Sequence, residues 1–140
     1  MQSYPETHDE LTGLPNRCGV DELARALVLD AKSDLVLVLI ELPPLTDDMR
    51  RTIGQRLRVC ARGDDVIARI SEDRFAMLLT PRIGPDGEDK LLARLRIAVG
   101  AQLLGIIAAF GVARCPEDGT GFENLLTCAA ARLRDAAVAH

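Results

Sequence analysis

The sequence lacks a hydrophobic run long enough to cross a membrane. Its longest apolar stretch, Leu103–Ala113, is shorter than a transmembrane helix and is interrupted by Gly105 and Gly111. The chain also lacks the basic segment followed by an apolar segment that marks a secretory signal peptide. From these two absences we expect a soluble, cytoplasmic protein with no membrane segment in this chain.

Metal-binding patterns and an excess of positive charge are also missing. The four cysteines form no C-x-x-C pair and have no regular spacing: Cys18, Cys60, Cys115 and Cys128. The two histidines, His8 and His140, stand near opposite ends of the chain, so we expect reduced packing thiols and no zinc cluster. The formal net charge of −4 argues against a general nucleic-acid-binding protein. We therefore expect no metal, no cofactor and no nucleic-acid partner.

The chain does contain enough apolar sequence for one well-buried domain. Of its 140 residues, 48% are hydrophobic and 27% are charged. Apolar residues recur at helical spacing in Val20–Ala31, Asp47–Ala61, Glu88–Val99 and Thr120–Ala137. Strand patterns occupy Leu35–Leu42, Asp65–Ile70, Arg74–Thr80 and Leu104–Ala113. We expect a loop over Pro81–Asp89 and a turn over Pro116–Gly119.

The order of these elements is βαββαβ, preceded by a helix. The pattern predicts an α+β fold in which helices flank a mostly antiparallel sheet.

Several motifs in a fixed order carry a family resemblance. Ala68–Leu79 reads A-R-I-S-E-D-R-F-A-M-L-L, two apolar runs joined by a polar turn without the Gly or Asn that hairpin turns usually contain. H-D-E-L-T-G-L-P-N-R precedes it at His8–Arg17, and G-V-A-R-C-P-E-D-G follows at Gly111–Gly119, ahead of the paired leucines Leu125-Leu126. Together these segments resemble the GGDEF domains of diguanylate cyclases, with S-E-D-R-F at Ser71–Phe75 in place of the signature.

The resemblance covers nearly the whole chain and implies a nucleotidyl-cyclase-like fold with a ferredoxin-like core. Residues 1–140 would then form a single degenerate GGDEF domain, which could be excised from a larger multidomain bacterial signalling protein. Active members join two GTP molecules into cyclic di-GMP on metal ions that carboxylates hold. The resemblance maps the metal ligands onto Glu41 and Asp73 and a guanine contact onto Asp47. The alternative is that Glu41 is a strand-end charge and Asp73 a solvated turn residue, so that both are vestigial.

Other positions depart from the family in ways that predict an inactive enzyme. Ser71 and Glu72 replace two glycines that let the backbone approach the nucleotide, and Arg74 replaces an acidic residue. The segment after Leu42, which in the family supplies a phosphate-binding Lys and a guanine-binding Asn, is roughly ten residues short. Late in the last helix, Ala130 and Ala137 replace the family's Asp and Lys. We expect no catalytic residues and no cyclase activity, because too little remains to orient the reactants.

A second motif of the family is intact. Arg62-Gly63-Asp64-Asp65 is an R-x-x-D, which in many members is part of an inhibitory site for cyclic di-GMP. The resemblance implies that Arg62 meets a guanine edge with its forked donors, that Asp65 accepts from the opposite edge, and that Arg94 completes the site. Arg96 is the reserve candidate for this third position.

Nearby arginines could add a positive face for this dianionic ligand, namely Arg50, Arg51, Arg56, Arg58 and Arg69. The structural alternative is that Arg62 complements a helix dipole, that Asp65 belongs to an ordinary turn, and that Asp65 pairs with Arg69. Arg132 and Arg134 are interpreted as parts of a solvated helix face.

The sequence is compatible with three functions. The first is a cyclic di-GMP receptor that uses Arg62, Asp65 and Arg94. The second is an interaction domain that binds no nucleotide and regulates a neighbouring sensor or EAL-type domain. Its partner would be that domain or a second copy of this chain. The third is an enzyme with residual GTP binding, which requires Glu41 and Asp73 to act without their partners.

Overall fold

A computed structural model describes residues 6–30, 35–63, 65–80, 84–100 and 105–138. The elements along the chain are α1 (Arg17–Asp30), β1 (Leu35–Glu41), α2 (Asp47–Cys60), β2 (Val66–Ser71), β3 (Arg74–Leu79), α3 (Pro85–Ala98), β4 (Ala109–Cys115) and α4 (Phe122–Val138). The strands form one antiparallel sheet in the order β2-β3-β1-β4. This arrangement confirms the predicted α+β fold and its βαββαβ order.

Strand β1 lies inside the sheet and separates two apolar layers. Its sequence is apolar as far as Glu41, as expected of a strand that is covered on both faces. Because successive side chains point to opposite faces, every second residue from Val36 packs with α2 and α3, while the others pack with α1 and α4. The pairing with β3 places Glu41 opposite Arg74, so that the end of β1 lies beside the β2–β3 turn.

Two predicted boundaries are wrong. Helix α3 begins at Pro85, inside the predicted loop Pro81–Asp89, because Gly84 is its N-cap and proline is well tolerated at the first helical position. Strand β4 begins at Ala109 and not at Leu104, since Gly105 has a φ of 68°, which lies outside the β region. The other elements match the predictions to within a few residues. Residues 81–83, Leu104 and Ala31 lie outside the described residues.

The segment His8–Arg17 has a structural role between α1 and β2. The Asp9 carboxylate accepts hydrogen bonds from the backbone N–H of Thr12 at 2.9 Å and from its hydroxyl at 2.7 Å. It also accepts one from Arg69 of β2 at 3.0 Å. The Asn16 side chain accepts a hydrogen bond from a backbone N–H in the first turn of α1, which makes Asn16 the N-cap. The hydrogen bonds of this motif therefore fasten one end of the fold.

The segment Gly111–Gly119 also has a structural role. At Gly111 the backbone of β4 approaches α4 so closely that a Cβ would lie 2.0 Å from the carbonyl oxygen of Ala129. Only glycine permits this contact without displacing the helix. At the other end of the segment, the Asp118 carboxylate accepts a hydrogen bond from the backbone N–H of Arg114 at 2.8 Å and closes the turn after β4.

Arg132 belongs to this turn, and the prediction of a solvated helix face is wrong for it. Its guanidinium donates to both oxygens of Asp118 at 2.8 Å and also to the carbonyl oxygen of Val112. The pair with Arg132, helped by the Arg114 N–H, holds the pKa of Asp118 below its ordinary value. The sequence pattern of α4 could not show this contact, because the turn after β4 brings the Asp118 carboxylate opposite Arg132 only in the folded chain. The side chain of Arg134 lies outside the described residues.

All four cysteines carry free thiols, of which Cys18 is exposed and Cys115 is buried. Within the described part of the chain, no helix combines the length and the apolar character that crossing a membrane requires. The described residues also contain no cluster of three or more His, Cys, Asp or Glu side chains arranged to hold a metal ion.

The pairing of Asp118 predicts a pH-dependent contribution to stability. We expect Asp118→Asn to lower the free energy of unfolding near neutral pH by about 1.5–3 kcal/mol, the scale of hydrogen bonds to charged groups. Because folding lowers the pKa of Asp118 from 3.8, its contribution is complete above that value and is lost as the pH falls through the lower folded-state pKa. We would measure urea denaturation of wild type and Asp118→Asn at several pH values from about 7 down to about 2.5. The difference between their free energies of unfolding should become smaller as the pH falls.

Asp48→Asn provides the matched control, since Asp48 pairs with Arg51 on the surface and such pairs contribute less than about 1 kcal/mol. If Asp118→Asn is less stable than wild type by the same free energy at every pH, the ion pair of Asp118 with Arg132 is not the source of the difference.

Candidate functional site

The S-E-D-R-F segment forms the predicted hairpin between β2 and β3. Ser71 pairs with Arg74 across the strands, so that Glu72 and Asp73 are the turn residues. The turn is tied to the end of β1, because the N–H of Leu42 donates to the carbonyl oxygen of Asp73 at 2.8 Å. Phe75 is fully buried in the layer between the sheet and helices α2 and α3. The hairpin is therefore held firmly against the strand that carries Glu41.

Arg74 forms an ion pair with Glu41, the first of the two candidate metal ligands. The Arg74 Nε donates to Glu41 Oε2 at 2.8 Å, and an Nη lies at the same distance from that oxygen. Both side chains are partly exposed at the end of their strands. The cross-strand register brings the two together, since Glu41 and Arg74 are direct partners in the β1–β3 ladder.

Arg50 of α2 binds the other carboxylates at this end of the sheet. It is only 8% exposed, and it donates to Asp73 at 3.0 Å and to Asp47 at 2.9 Å. A further Nη lies 3.2 Å from Glu72. The hydrogen bond that Arg50 donates to Asp73, followed by the one that it donates to Asp47, raises the pKa of Arg50 above its ordinary value. Sequence reasoning placed Arg50 only among basic residues near the ligand, and its i, i+3 spacing from Asp47 was the one available signal.

We call Glu41, Asp47, Glu72 and Asp73, with Arg50 and Arg74, the signature edge. Each of these carboxylates is paired with one of the two guanidinium groups. A divalent cation requires several carboxylate or carbonyl oxygens turned toward one point. At the signature edge one oxygen of each carboxylate lies against an arginine donor, and the described residues bring no three of these carboxylates together in a geometry that could hold a metal ion.

Arg69 stabilises the hairpin from the outer side of the sheet. Its guanidinium donates to the carbonyl oxygen of Glu72 at 2.9 Å and to Asp9 at 3.0 Å. The proposed structural pair between Asp65 and Arg69 is therefore wrong, and Asp9 is the carboxylate partner. A local spacing argument could not identify Asp9, since the two residues are far apart in the sequence.

The described residues of the R-x-x-D segment, Arg62, Gly63 and Asp65, belong to a turn after α2. The N–H of Asp65 donates to the carbonyl oxygen of Arg62 at 2.6 Å, and the N–H of Arg62 donates to the Asp65 carboxylate at 3.1 Å. Gly63 has a positive φ of 45°, which this turn requires. The Arg62 side chain is exposed. Asp65 also lines a cavity of about 420 Å³ that includes Arg58.

Arg94 lies elsewhere, on the surface that α3 shares with α2. It lines a groove of about 390 Å³ together with α2 residues that include Arg56. Arg56 and Arg58 project from nearly opposite sides of α2, so the cavity of Asp65 and the groove of Arg94 flank the end of this helix. The structure thus brings Arg62 and Asp65 together, and it shows Arg94 across α2 without a contact to either. The reserve candidate, Arg96, stacks over the ring of Phe110 with 5.4 Å to its centroid.

The arginines of the described residues fall into two groups. Those that form ion pairs with carboxylates are Arg17, Arg25, Arg50, Arg51, Arg69, Arg74, Arg114 and Arg132. Those without an ion pair in the same described part of the chain are Arg56, Arg58, Arg62, Arg94 and Arg96, all on the C-terminal halves of α2 and α3 or the turn after α2. The predicted positive face therefore excludes Arg50, Arg51 and Arg69 and includes Arg56 and Arg58.

Comparison with known proteins places these features in a family. The chain is 28% identical to the bifunctional diguanylate cyclase/cyclic di-GMP phosphodiesterase MucR of Pseudomonas aeruginosa, over 95% of this chain. It spans only 22% of the length of MucR.

Solved structures share the fold. A sensory box/GGDEF family protein of Caulobacter crescentus matches with a TM-score of 0.81 and 25% identity, over 96% of this chain and 99% of that one. The GGDEF domain of Caulobacter crescentus DgcB, crystallised with cyclic di-GMP, matches with a TM-score of 0.81 and 21% identity, over 99% of this chain and 92% of that one. The family model of the GGDEF-like domain matches residues 12–134. This chain is therefore a member of the GGDEF-like domain family, related to diguanylate cyclases.

Proposed function

We propose that this GGDEF-like domain has lost cyclase activity and acts as a cyclic di-GMP receptor through Arg62, Asp65 and Arg94. The distribution of arginine pairing carries the proposal. At the signature edge the carboxylates are neutralised by arginines, whereas the arginines around the R-x-x-D turn have no ion pair among the described residues. At the first surface both candidate metal ligands, Glu41 and Asp73, are bound by arginines, and the second is a positive surface for an anion.

The loss of activity follows from what the cyclase reaction needs at the signature edge. Metal ions must bridge the phosphates, and Glu41 and Asp73 face guanidinium groups instead. Side chains at Ser71 and Glu72 occupy the space next to the turn that glycine would leave open to a nucleotide. Helix α2 begins at Asp47 with Thr46 as its N-cap, directly after the short connection from β1, so that no substrate-binding segment precedes it.

The receptor function rests on the chemistry of the ligand. Cyclic di-GMP carries two negative charges and two guanine bases, and the arginine fork fits the O6/N7 edge of guanine. The exposed guanidinium of Arg62 is free to meet such an edge. The Arg94 Nε is enclosed without a hydrogen-bond partner among the described residues, a condition that ordinarily costs about 1–3 kcal/mol. A ligand that spans the end of α2 would reach both arginines. The DgcB domain, which shares this fold, was crystallised with the same nucleotide.

A second candidate function is an interaction domain that binds no nucleotide. The observation in its favour is that the Asp65 carboxylate is already bonded to the Arg62 N–H, while Arg94 lies on the other side of α2. In either case we infer that residues 1–140 form one domain of a larger cytoplasmic signalling protein, as the short span along MucR suggests. The neighbouring sensor or EAL-type domain would then be the element that it regulates.

The signature edge generates a direct test of the arginine pairing. Arg74→Glu restores an acidic residue opposite Glu41, and like charges directly opposite in a sheet destabilise it by roughly 0.2–1 kcal/mol. We expect a lower Tm in the presence of EDTA and a recovery when millimolar MgCl₂ is added, because a divalent cation can then bridge the two carboxylates. Thermal melts followed by circular dichroism measure both effects.

Arg74→Gln is the control, since it removes the ion pair without adding a carboxylate. It should lose stability without recovering in MgCl₂. If MgCl₂ raises the Tm of wild type as much as that of Arg74→Glu, the carboxylates of the signature edge bind metal despite their arginine partners, which contradicts the proposal.

Catalysis is the second test. We expect no conversion of GTP to cyclic di-GMP with magnesium or manganese, because the signature edge holds no free metal ligands and the substrate segment is missing. The variant Ser71→Gly/Glu72→Gly should be equally inactive, since it restores the glycines alone. Chromatography after a long incubation provides the measurement, and product from purified wild type would refute the proposal.

Binding of cyclic di-GMP is the third test. Removing Arg62 should lose both a bidentate contact and a positive charge, so Arg62→Ala should weaken binding at least about tenfold. Asp65→Asn keeps an acceptor for the Arg62 N–H and removes the charge, and it should also weaken binding. Isothermal titration calorimetry of these proteins beside wild type gives the dissociation constants.

Arg25→Ala controls for the general loss of positive charge, since Arg25 is an exposed arginine of α1. It should bind like wild type. If wild type shows no binding at tens of micromolar protein, or if Arg62→Ala binds equally, the receptor function fails and the interaction domain becomes the better account.

A further inference from the structure

The groove between α2 and α3 is lined by apolar side chains and two arginines. Its lining consists of Arg56, Val59, Cys60, Arg94, Ile97 and Ala98. Val59 is 84% exposed and Ile97 is 58% exposed, so two large apolar side chains of one concave surface face solvent. Single exposed apolar residues are ordinary, whereas these two line the same groove and can be covered by one partner.

The rim of the α2/α3 groove is positively charged. Arg56 and Arg94 have no ion pair within the described ranges, and the Arg94 Nε there lacks a hydrogen-bond partner. The sequence contains no Asp or Glu from Met49 to Gly63 or from Lys90 to Gly100, although the whole chain has a net charge of −4. The positive potential is therefore local to the C-terminal halves of these two helices.

We propose that the α2/α3 groove docks an acidic amphipathic helix of a partner protein. A groove between two helices receives a third helix through apolar residues at positions i, i+3 or i+4, and i+7, which would cover Val59 and Ile97. Glutamate or aspartate beside that apolar stripe pairs with the guanidinium groups of Arg56 and Arg94, which have no ion pair among the described residues. An anionic membrane would meet the same apolar and basic groups, so binding to lipid vesicles is an outcome that the test below distinguishes.

This docking does not depend on the proposed nucleotide site. Val59 and Ile97 lie outside the R-x-x-D turn, and Arg62 does not line the groove. Arg94 faces the groove and is also the third residue of the nucleotide site, so it is left unchanged in the test.

A pair of designed peptides tests the proposal on the folded chain. Both are helices of about 16 residues with leucines at the i, i+3/i+4 and i+7 positions, one with glutamates and the other with lysines at the remaining sites. Fluorescence anisotropy should show saturable binding of the glutamate peptide and at least about tenfold weaker binding of the lysine peptide. Val59→Asp and Ile97→Asp should each weaken the glutamate peptide at least about tenfold.

Ile107→Asp is the matched control, because Ile107 is 85% exposed and lies outside the groove. It should leave peptide binding within about twofold of wild type, and so should Arg62→Ala, which instead weakens cyclic di-GMP. Equal binding of the two peptides, no saturable binding of the glutamate peptide, or an unchanged affinity of Val59→Asp overturns the proposal. Co-sedimentation with anionic phospholipid vesicles, or a dimer in sedimentation velocity that Val59→Asp disrupts, would assign the groove to a membrane or to a second copy and would also overturn it.

Discussion

The nearly buried guanidinium of Arg50 connects helix α2 to the β2–β3 turn, and the character of the signature edge depends on it. It contacts Asp47 in the first turn of its own helix and Glu72 and Asp73 in the turn. A buried cation must be paired, and removing either side of such a pair leaves an unpaired charge in a poorly solvated place. Of these three carboxylates, Asp73 is the one that the family resemblance assigns to a metal ion, and here it holds the turn to α2. Arg74 donates to Glu41, the other carboxylate that the resemblance assigns to a metal ion.

The family motifs at the two ends of the chain are structural. Asp9 and Asn16 organise the segment before α1, while Gly111 and Asp118 fasten β4 to α4. These contacts need no nucleotide, so they persist in a domain whose signature has changed. The match of the chain to the family and the proposed loss of catalysis are thus compatible, because fold and site depend on different residues.

Much of the fold was predictable because its elements have strong periodic patterns. Strand β1 and helix α2 each have a continuous signal, and the hairpin follows from two short strands around a polar turn. The beginning of α3 was missed because Gly84, Pro85 and Gly87 have the composition of a loop. The beginning of β4 was missed because an apolar run does not show where extended backbone starts. The ion pairs were not predictable, since Arg50–Asp73, Glu41–Arg74 and Asp118–Arg132 depend on the tertiary fold.

We propose that the signature edge no longer holds a nucleotide and that the second site of the family, at the turn after α2, still binds cyclic di-GMP. An amide NMR titration of the ¹⁵N-labelled chain with cyclic di-GMP tests this most directly, because each backbone N–H reports on its own surroundings. If this site binds the nucleotide, the amide signals of Arg62, Gly63, Asp65 and Arg94 should shift in a saturable way, while those of Ser71–Arg74 stay unchanged. Shifts concentrated at Glu41 and Ser71–Arg74, with the R-x-x-D turn unaffected, would contradict it.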